Sequence, residues 1–298
     1  MKYAAMNINF DSMSQMYGFP AGYRDPSYRE IAKRFFKLSD KYNFKYTIFV
    51  IGKDLEDPEY RECVREWAQR GHEIGNHTWS HPLNLGALKP VEIHAEIARA
   101  HEIISKTVGR EPKGFVAPAW STSREVVSTL KELHYNYDSS AFPSWLLLPL
   151  MGKLMMHHAG GREFFTVFQR KDFPRALWAP RHPYHDNGLL IFPLPTNRYR
   201  VACWHTMAFV LGEKKQQALL RSCLKEEASF YYLMHPGDLL DARDLDPKFR
   251  LRMERMRPGL DEKYRILESC MNTIVQSGRS LVTMETLAKH VSEADVPS

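Results

Sequence analysis

Cysteine is scarce in this chain. Cys63, Cys203, Cys223 and Cys270 lie far apart and form no CxxC pair. That spacing excludes a disulfide-stapled scaffold and suits a reducing compartment. No apolar run reaches the roughly 18 residues that a spanning helix needs. The opening Met1-Lys2-Tyr3-Ala4-Ala5-Met6-Asn7 has no apolar core of export-signal length, so the expectation is a soluble, cytoplasmic protein. Also missing are a GxSxG elbow, a GxxxxGK[ST] loop and a GxGxxG turn, and with them the main warrants for a serine hydrolase, a kinase or a dinucleotide enzyme. There is no internal repeat and no low-complexity segment. What remains is a chain of 298 residues, 44% of them hydrophobic, which is enough for a real core. Its 41 basic residues outnumber 35 acidic ones, for a formal charge of +6. That excess fits a solvated surface, or an anionic partner such as a phosphate-bearing substrate or a membrane face. No zinc-finger spacing or RNA-reading aromatic motif points to nucleic acid.

Short β-like runs alternate with helical ones. The strands expected are Ala5–Asp11, Lys45–Ile51, His72–Ser80 (passing into loop), Gly114–Pro118, Tyr137–Phe142, Leu189–Leu194, Ser229–His235 and Ser280–Met284. A first helix opens at Asp25-Pro26-Ser27 with Ser27-x-x-Glu30 as a capping box. Further helices are expected over Pro58–Arg70 (stopping at Gly71), Lys89–Val108 (stopping at Gly109), Ser123–His134, Lys215–Ala228, Asp261–Gln276 and Glu285–Val291. Such alternation favours parallel strands, either as a (β/α) barrel or as an open doubly wound sheet, with the chemistry at the carboxyl ends of the strands. Trp145–Asn187 is irregular and reads as an insert over the mouth of one domain spanning 1–298, its bounds about 145–187.

Gly75-Asn76-His77-Thr78-Trp79-Ser80-His81-Pro82 is the sharpest local feature. Two imidazoles four residues apart in a turn after a strand can converge on one divalent cation. Asp11 ends the first strand near the same rim, where a carboxylate can act as general base, ligate a metal or simply cap a turn. His235 ends the apolar strand Tyr231–Met234, placed to donate a proton to a leaving group. His205, in apolar surroundings, reads as a core histidine. His157, His158, His182 and His185 fall in the insert, where contact with substrate and ordinary loop composition explain them equally well.

These pieces, in this order, resemble the polysaccharide deacetylase (NodB-homology, carbohydrate esterase family 4) superfamily. Asn9-Phe10-Asp11-Ser12 resembles its first motif. Gly71-His72-Glu73-Ile74-Gly75-Asn76-His77-Thr78-Trp79-Ser80-His81-Pro82 resembles its second almost residue for residue. Phe115–Trp120, Tyr137–Ser140, Leu233–Pro236 and Leu281–Leu287 resemble later segments. The resemblance implies a distorted (β/α)7 barrel and hydrolysis of an N-acyl group, acetyl or formyl, on an amino sugar. By that resemblance His77 and His81 hold a divalent cation, zinc foremost. Asp11 takes a proton from water, His235 protonates the amine, and Pro118, Trp120 and Ser12 lie against the substrate. Two positions depart from the family pattern. Ser12 stands where a third, carboxylate ligand is usual, and Val116 where an arginine is. Asp11 is then either base or third ligand. A metal-independent amide hydrolase and a non-catalytic sugar-binding relative are the alternatives. A cytoplasmic enzyme of this kind meets nucleotide- or lipid-linked sugars, as in O-antigen synthesis at the inner face of the membrane. The apolar run Trp145–Met156 suits core packing or peripheral docking.

Overall fold

The computed structural model describes residues 2–14, 23–150, 152, 169–170, 172, 177–246 and 256–294. Nine strands form its sheet: β1 (Lys2–Phe10), β2 (Thr47–Val50), β3 (Glu73–Asn76), β4 (Gly114–Phe115), β5 (Tyr137–Asp138), β6 (Tyr184–Asp186), β7 (Leu189–Ile191), β8 (Ser229–Met234) and β9 (Arg279–Val282). Their order is β6-β7-β5-β4-β3-β2-β1-β8, with β9 also on β1. All pairings are parallel except β6 with β7. β8 runs along Tyr3–Ile8 of β1. β9 covers Lys2–Ala5 and β2 covers Asn7–Phe10, so these two share the opposite edge of β1.

The result is a distorted (β/α) barrel of the expected type, and its strand order stays open, ending at β6 on one side and β8 on the other. Irregular chain bridges that gap through Cys203 N–H to Pro195 O (2.8 Å) and His205 N–H to Leu233 O (2.9 Å). The helices around it are α1 (Ala32–Tyr42), α2 (Pro58–Gln69), α3 (Pro90–Val108), α4 (Arg124–Glu132), α5 (Met207–Leu211), α6 (Glu213–Glu226), α7 (Leu260–Gln276) and α8 (Met284–Ala294).

Period-two alternation decides which side chains face the helices and which face the barrel interior. On β1, Ala4, Met6, Ile8 and Phe10 join the outer core with Phe35, Phe36 and Trp67 from α1 and α2. Ala5 belongs instead to the interior cluster with Phe49, Tyr137, Tyr231 and Leu233. Met284 and Leu287 of α8 join that cluster, and Met284 N–H donates to Thr47 Oγ1 at 2.8 Å. α8 thus plugs the amino-terminal end of the barrel. Gly75 is needed for interior packing, since a Cβ there would lie 2.4 Å from the Phe49 ring.

The helix signals hold in most places. Asp57 caps α2 by accepting from Glu59 N–H at 2.8 Å, and Gly71 and Gly109 take positive φ of 87° and 74°. The Ser27–Glu30 capping box does not form. Ser27–Ile31 is a π-type turn in which Asp25 Oδ1 accepts from Ser27 N–H (2.8 Å) and Ser27 Oγ accepts from Met13 N–H (3.2 Å). The expected insert contributes regular structure, because β6 lies within it and pairs with β7. α5 had no sequence signal of its own. His157 and His158 lie outside the described residues.

Candidate active site

The same alternation aims the candidate residues inward. On β1 and beyond, Asn9, Asp11 and Met13 face one pocket, so Ser12 between them does not. On β3 the inner positions are Gly75 and then His77, while Asn76 turns outward to Ile97 O (3.0 Å) and Tyr135 Oη (2.7 Å). On β8 they are Tyr231, Leu233 and then His235. Three strand ends therefore deliver Asp11, His77 and His235 to one place, and the turn after β3 adds His81.

His77 Nε2 lies 3.1 Å from Asp11 Oδ1, and His81 Nε2 lies 3.5 Å from the same oxygen. His235 Nε2 stands 4.0 Å from Asp11 Oδ2. The four line a pocket of about 120 Å3 together with Trp120, Trp204, Leu83 and Leu150. Burial alone would raise the Asp11 carboxyl, but the His81 and His77 imidazoles outweigh it and hold Asp11 well below the usual carboxylate range. His77 Nδ1 lies 2.7 Å from Val116 O, a contact in which the ring N–H donates and which fixes the ring with Nε2 turned toward Asp11. Val116 thus serves the site through its carbonyl, while its side chain packs in the interior core.

The chain keeps this geometry at a cost in backbone strain. Thr78, His81, Ala119 and Trp120 have φ between 48° and 66°, in the left-handed region, and all four sit at the mouth. Each turn has an anchor. Glu96 of α3 accepts from Trp79 N–H (3.1 Å), Ser80 N–H (2.8 Å) and Ser80 Oγ (2.7 Å), which fixes the span between the two histidines. Arg170 donates to Ala119 O (2.8 Å) and Trp120 O (3.3 Å) and is paired with Asp172. Asp238, fully buried, accepts from His235 N–H at 2.8 Å and from Thr206 Oγ1 at 3.2 Å. None of Glu96, Arg170 and Asp238 stood out in the sequence. Only Asp238, three residues past His235, carried a local signal.

Of the other sequence candidates, Trp120 lines the pocket, whereas Ser12 and Pro118 are buried and absent from its wall. His205 is a core residue, its Nδ1 3.1 Å from Tyr232 Oη. His182 pairs with Glu227 (3.0 Å) away from the pocket. Within the apolar run, Leu147 is fully buried and Leu148 is 53% exposed, so only the latter can meet a partner.

The residues present fit a divalent cation. Ligand atoms of Asp11, His77 and His81 lie within 4.8 Å of one another, and Asp11 Oδ1 is buried with no conventional hydrogen-bond donor on it. Two imidazoles and a carboxylate are a common donor set for zinc and its neighbours.

Residues 6–137 match the family model described as polysaccharide deacetylase. A peptidoglycan-N-acetylglucosamine deacetylase from Bacillus cereus is 37% identical over 87 residues, which cover 28% of this chain and 30% of that protein. The chain aligns with only about a third of the length of the first curated relatives it matches. Among solved structures, a Mycobacterium smegmatis protein assigned to the polysaccharide deacetylases superposes with a TM-score of 0.58 at 17% identity, covering 99% of this chain and 92% of its own. A Bacillus anthracis pseudoenzyme of carbohydrate esterase family 4 superposes with a TM-score of 0.51 at 12% identity, covering 96% and 65%. At those identities the two structures speak for the fold.

Proposed function

We propose, from the match of residues 6–137 to the polysaccharide deacetylase family model, that the chain is a divergent member of that superfamily and a hydrolase removing an N-acyl group, acetyl or formyl, from an amino sugar. The observation that carries the reading is the gathering of Asp11, His77, His81 and His235 around one pocket. Asp11, His77 and His81 would hold a divalent cation, zinc foremost. Such a cation, when bound, supplies Lewis acidity toward an acyl oxygen and makes water more acidic.

With serine at position 12, Asp11 serves twice. Oδ1 lies between the two histidines, and Oδ2 faces His235, where it can accept the proton of the attacking water. The water oxygen bonds to the acyl carbon and the C–N bond breaks. His235, fastened through its backbone by Asp238, gives the departing nitrogen a proton. Trp120 offers a face on which a sugar ring stacks, and Trp204 and Leu150 narrow the pocket against bulk water.

The described residues work as one catalytic domain in this reading. No helix among them is long and apolar enough to cross a membrane. The basic balance of the chain, and exposed Trp145, Leu148 and Tyr199 beside the segment that carries Leu150, support a nucleotide- or lipid-linked amino sugar as substrate. They fit surface-polysaccharide synthesis, such as O-antigen, at the cytoplasmic face of a membrane.

Metal analysis of the purified chain, alongside amine release from N-acetyl and N-formyl amino sugars, tests the proposal. Stoichiometric metal with release of amine is expected. Sugar binding without metal or release would leave a non-catalytic relative, and release that survives chelation would leave a metal-independent amide hydrolase.

A further inference from the structure

A second cavity, of about 590 Å3, adjoins the first, and the Trp120 indole belongs to both walls. That volume lies in the range of small-molecule sites. Its described wall combines the aromatic rings of Trp120, Trp178 and Tyr184 with Asp138, His185 and Asp186. Trp178 is 82% exposed, a large indole held open toward solvent. No lysine or arginine is among the described lining residues. A further carboxylate there, Asp172, is held by the Arg170 guanidinium at 3.0 and 2.8 Å.

Asp138 is the unusual member. It ends β5, only 2% exposed, and nothing in the deacylation chemistry uses it. Its Oδ1 takes both hydrogen bonds from Ser140, one from N–H at 2.9 Å and one from Oγ. Its Oδ2 receives none from the described residues. Burial pushes this carboxyl up to about 7, with nearby Asp186 adding to the rise. A buried acid beside a second acid in an open cavity is a site that a cation relieves.

We propose that this cavity is a second sugar subsite, which receives the unit next to the one being deacylated and recognises a free amino group on it. The proposal rests on the amino-sugar reading of the histidine pocket. Sugar rings stack on indole and phenol faces, which exposed Trp178 and half-buried Tyr184 supply. The Asp186 carboxylate attracts an ammonium, whose charge also draws Asp138 into its ionised form, whereas a neutral N-acyl group brings neither acid a positive charge. A chain member already deacylated therefore fits here better than an acylated one. The enzyme would act preferentially beside an amine that is already exposed.

The test is a saturation-transfer NMR titration of the full chain with glucosamine, N-acetylglucosamine and glucose, in the presence of chelator so that no turnover occurs. Glucosamine is expected to bind at least about tenfold more tightly than the other two, a difference of about 1.4 kcal/mol. Asp186→Asn and Asp138→Asn should each erase that preference. Trp178→Ala, at a surface position that leaves folding intact, should weaken all three sugars. Equal affinity for glucosamine and N-acetylglucosamine, or a preference that survives Asp186→Asn, would overturn the proposal. Because the titration reads binding alone, a native protein that prefers glucosamine yet releases no amine from N-acyl sugars would sink the deacylation reading and leave the subsite standing.

Discussion

Two buried carboxylates stand at opposite ends of the same parallel sheet, and their environments drive them in opposite directions. At the mouth, burial pushes Asp11 up, but His81 and His77 more than reverse it and the group stays ionised. At the closed end, Glu73 opens β3 and accepts from Tyr137 Oη (2.7 Å), Thr47 Oγ1 (2.7 Å) and Glu285 N–H (2.9 Å). Burial still dominates there, and the Glu73 carboxyl is raised. Three neutral donors do not offset desolvation, whereas two imidazoles do. One end of the barrel is built to hold charge and the other to tie elements together. Glu73 links β2, β3, β5 and the start of α8. Tyr137 reaches it by passing over Gly114, where a Cβ would lie 2.0 Å from the phenol oxygen.

The largest expected effect tests the mouth. Asp11→Asn keeps size and shape but removes the charge between the histidines. Turnover should fall by about 10^3-fold, in the range of a lost general base, and bound metal should drop with it while the thermal midpoint barely moves. Amine release near the native rate in that variant would remove Asp11 from the chemistry. The contrasting change is Glu73→Ala. It strips the acceptor from two hydroxyls and one backbone N–H at the closed end, and should cost about 3 kcal/mol in denaturant unfolding. The fraction that remains folded should still bind metal. A loss of metal without a loss of stability would show that the two ends are not separable in this way.

The mouth was more legible in the sequence than the closed end, for a physical reason. Asp11, His77 and His235 sit one residue beyond a strand end and His81 follows in the turn after β3, so residue type and position both announce these candidates. Glu96, Arg170 and Asp238 act by fastening backbone, and two of the three reach partners many residues away, a relation no local pattern encodes. Every strand but β6 was readable as a strand, and strand length was not. β4 and β5 pair over two residues each, because the barrel walls bend away into the turns that carry the mouth. β6 was hidden by its mixed composition, and α5 by its brevity. The apolar run at 145–150 could not disclose its buried face, since periodicity cannot tell wall from surface when most positions are apolar.

His72 sharpens the contrast through pH. It directly precedes Glu73, its Nδ1 accepts from Tyr46 N–H (3.0 Å), and its ring stacks on Phe36. Burial lowers it to about 4, against about 6.5 in an unfolded chain. Between those values the unfolded chain binds a proton that the folded one refuses. Stability therefore rises with pH across the window and is lost as pH falls from about 6.5 toward 4. Going from pH 7 to pH 5 should cost about 2 kcal/mol. His72→Gln, whose amide oxygen can still accept from Tyr46, should flatten the slope in unfolding titrations. An unchanged slope would place the acid-sensitive group elsewhere.

The smallest expected effect concerns the outer surface of the mouth, which differs from the closed end in its exposed apolar side chains. Trp145 and Leu148 are 51% and 53% exposed, and the Trp145 indole N–H donates to Tyr199 O at 3.1 Å, which holds Tyr199, 64% exposed, beside it. Arg198 lies over the Tyr199 ring, 4.7 Å from its centroid, so a cation borders the apolar cluster. Aromatic rings with a flanking cation suit the headgroup layer of an anionic bilayer. Leu148→Asp combined with Trp145→Ala should reduce association with vesicles containing anionic lipid severalfold, about 1 kcal/mol. The thermal midpoint should hold, because neither side chain is buried. The informative control is Leu147→Asp, which should unfold the protein rather than release it, since that leucine is fully enclosed. If the native chain does not bind such vesicles at all, the mouth meets its substrate in solution, and a nucleotide-linked sugar becomes the carrier to test.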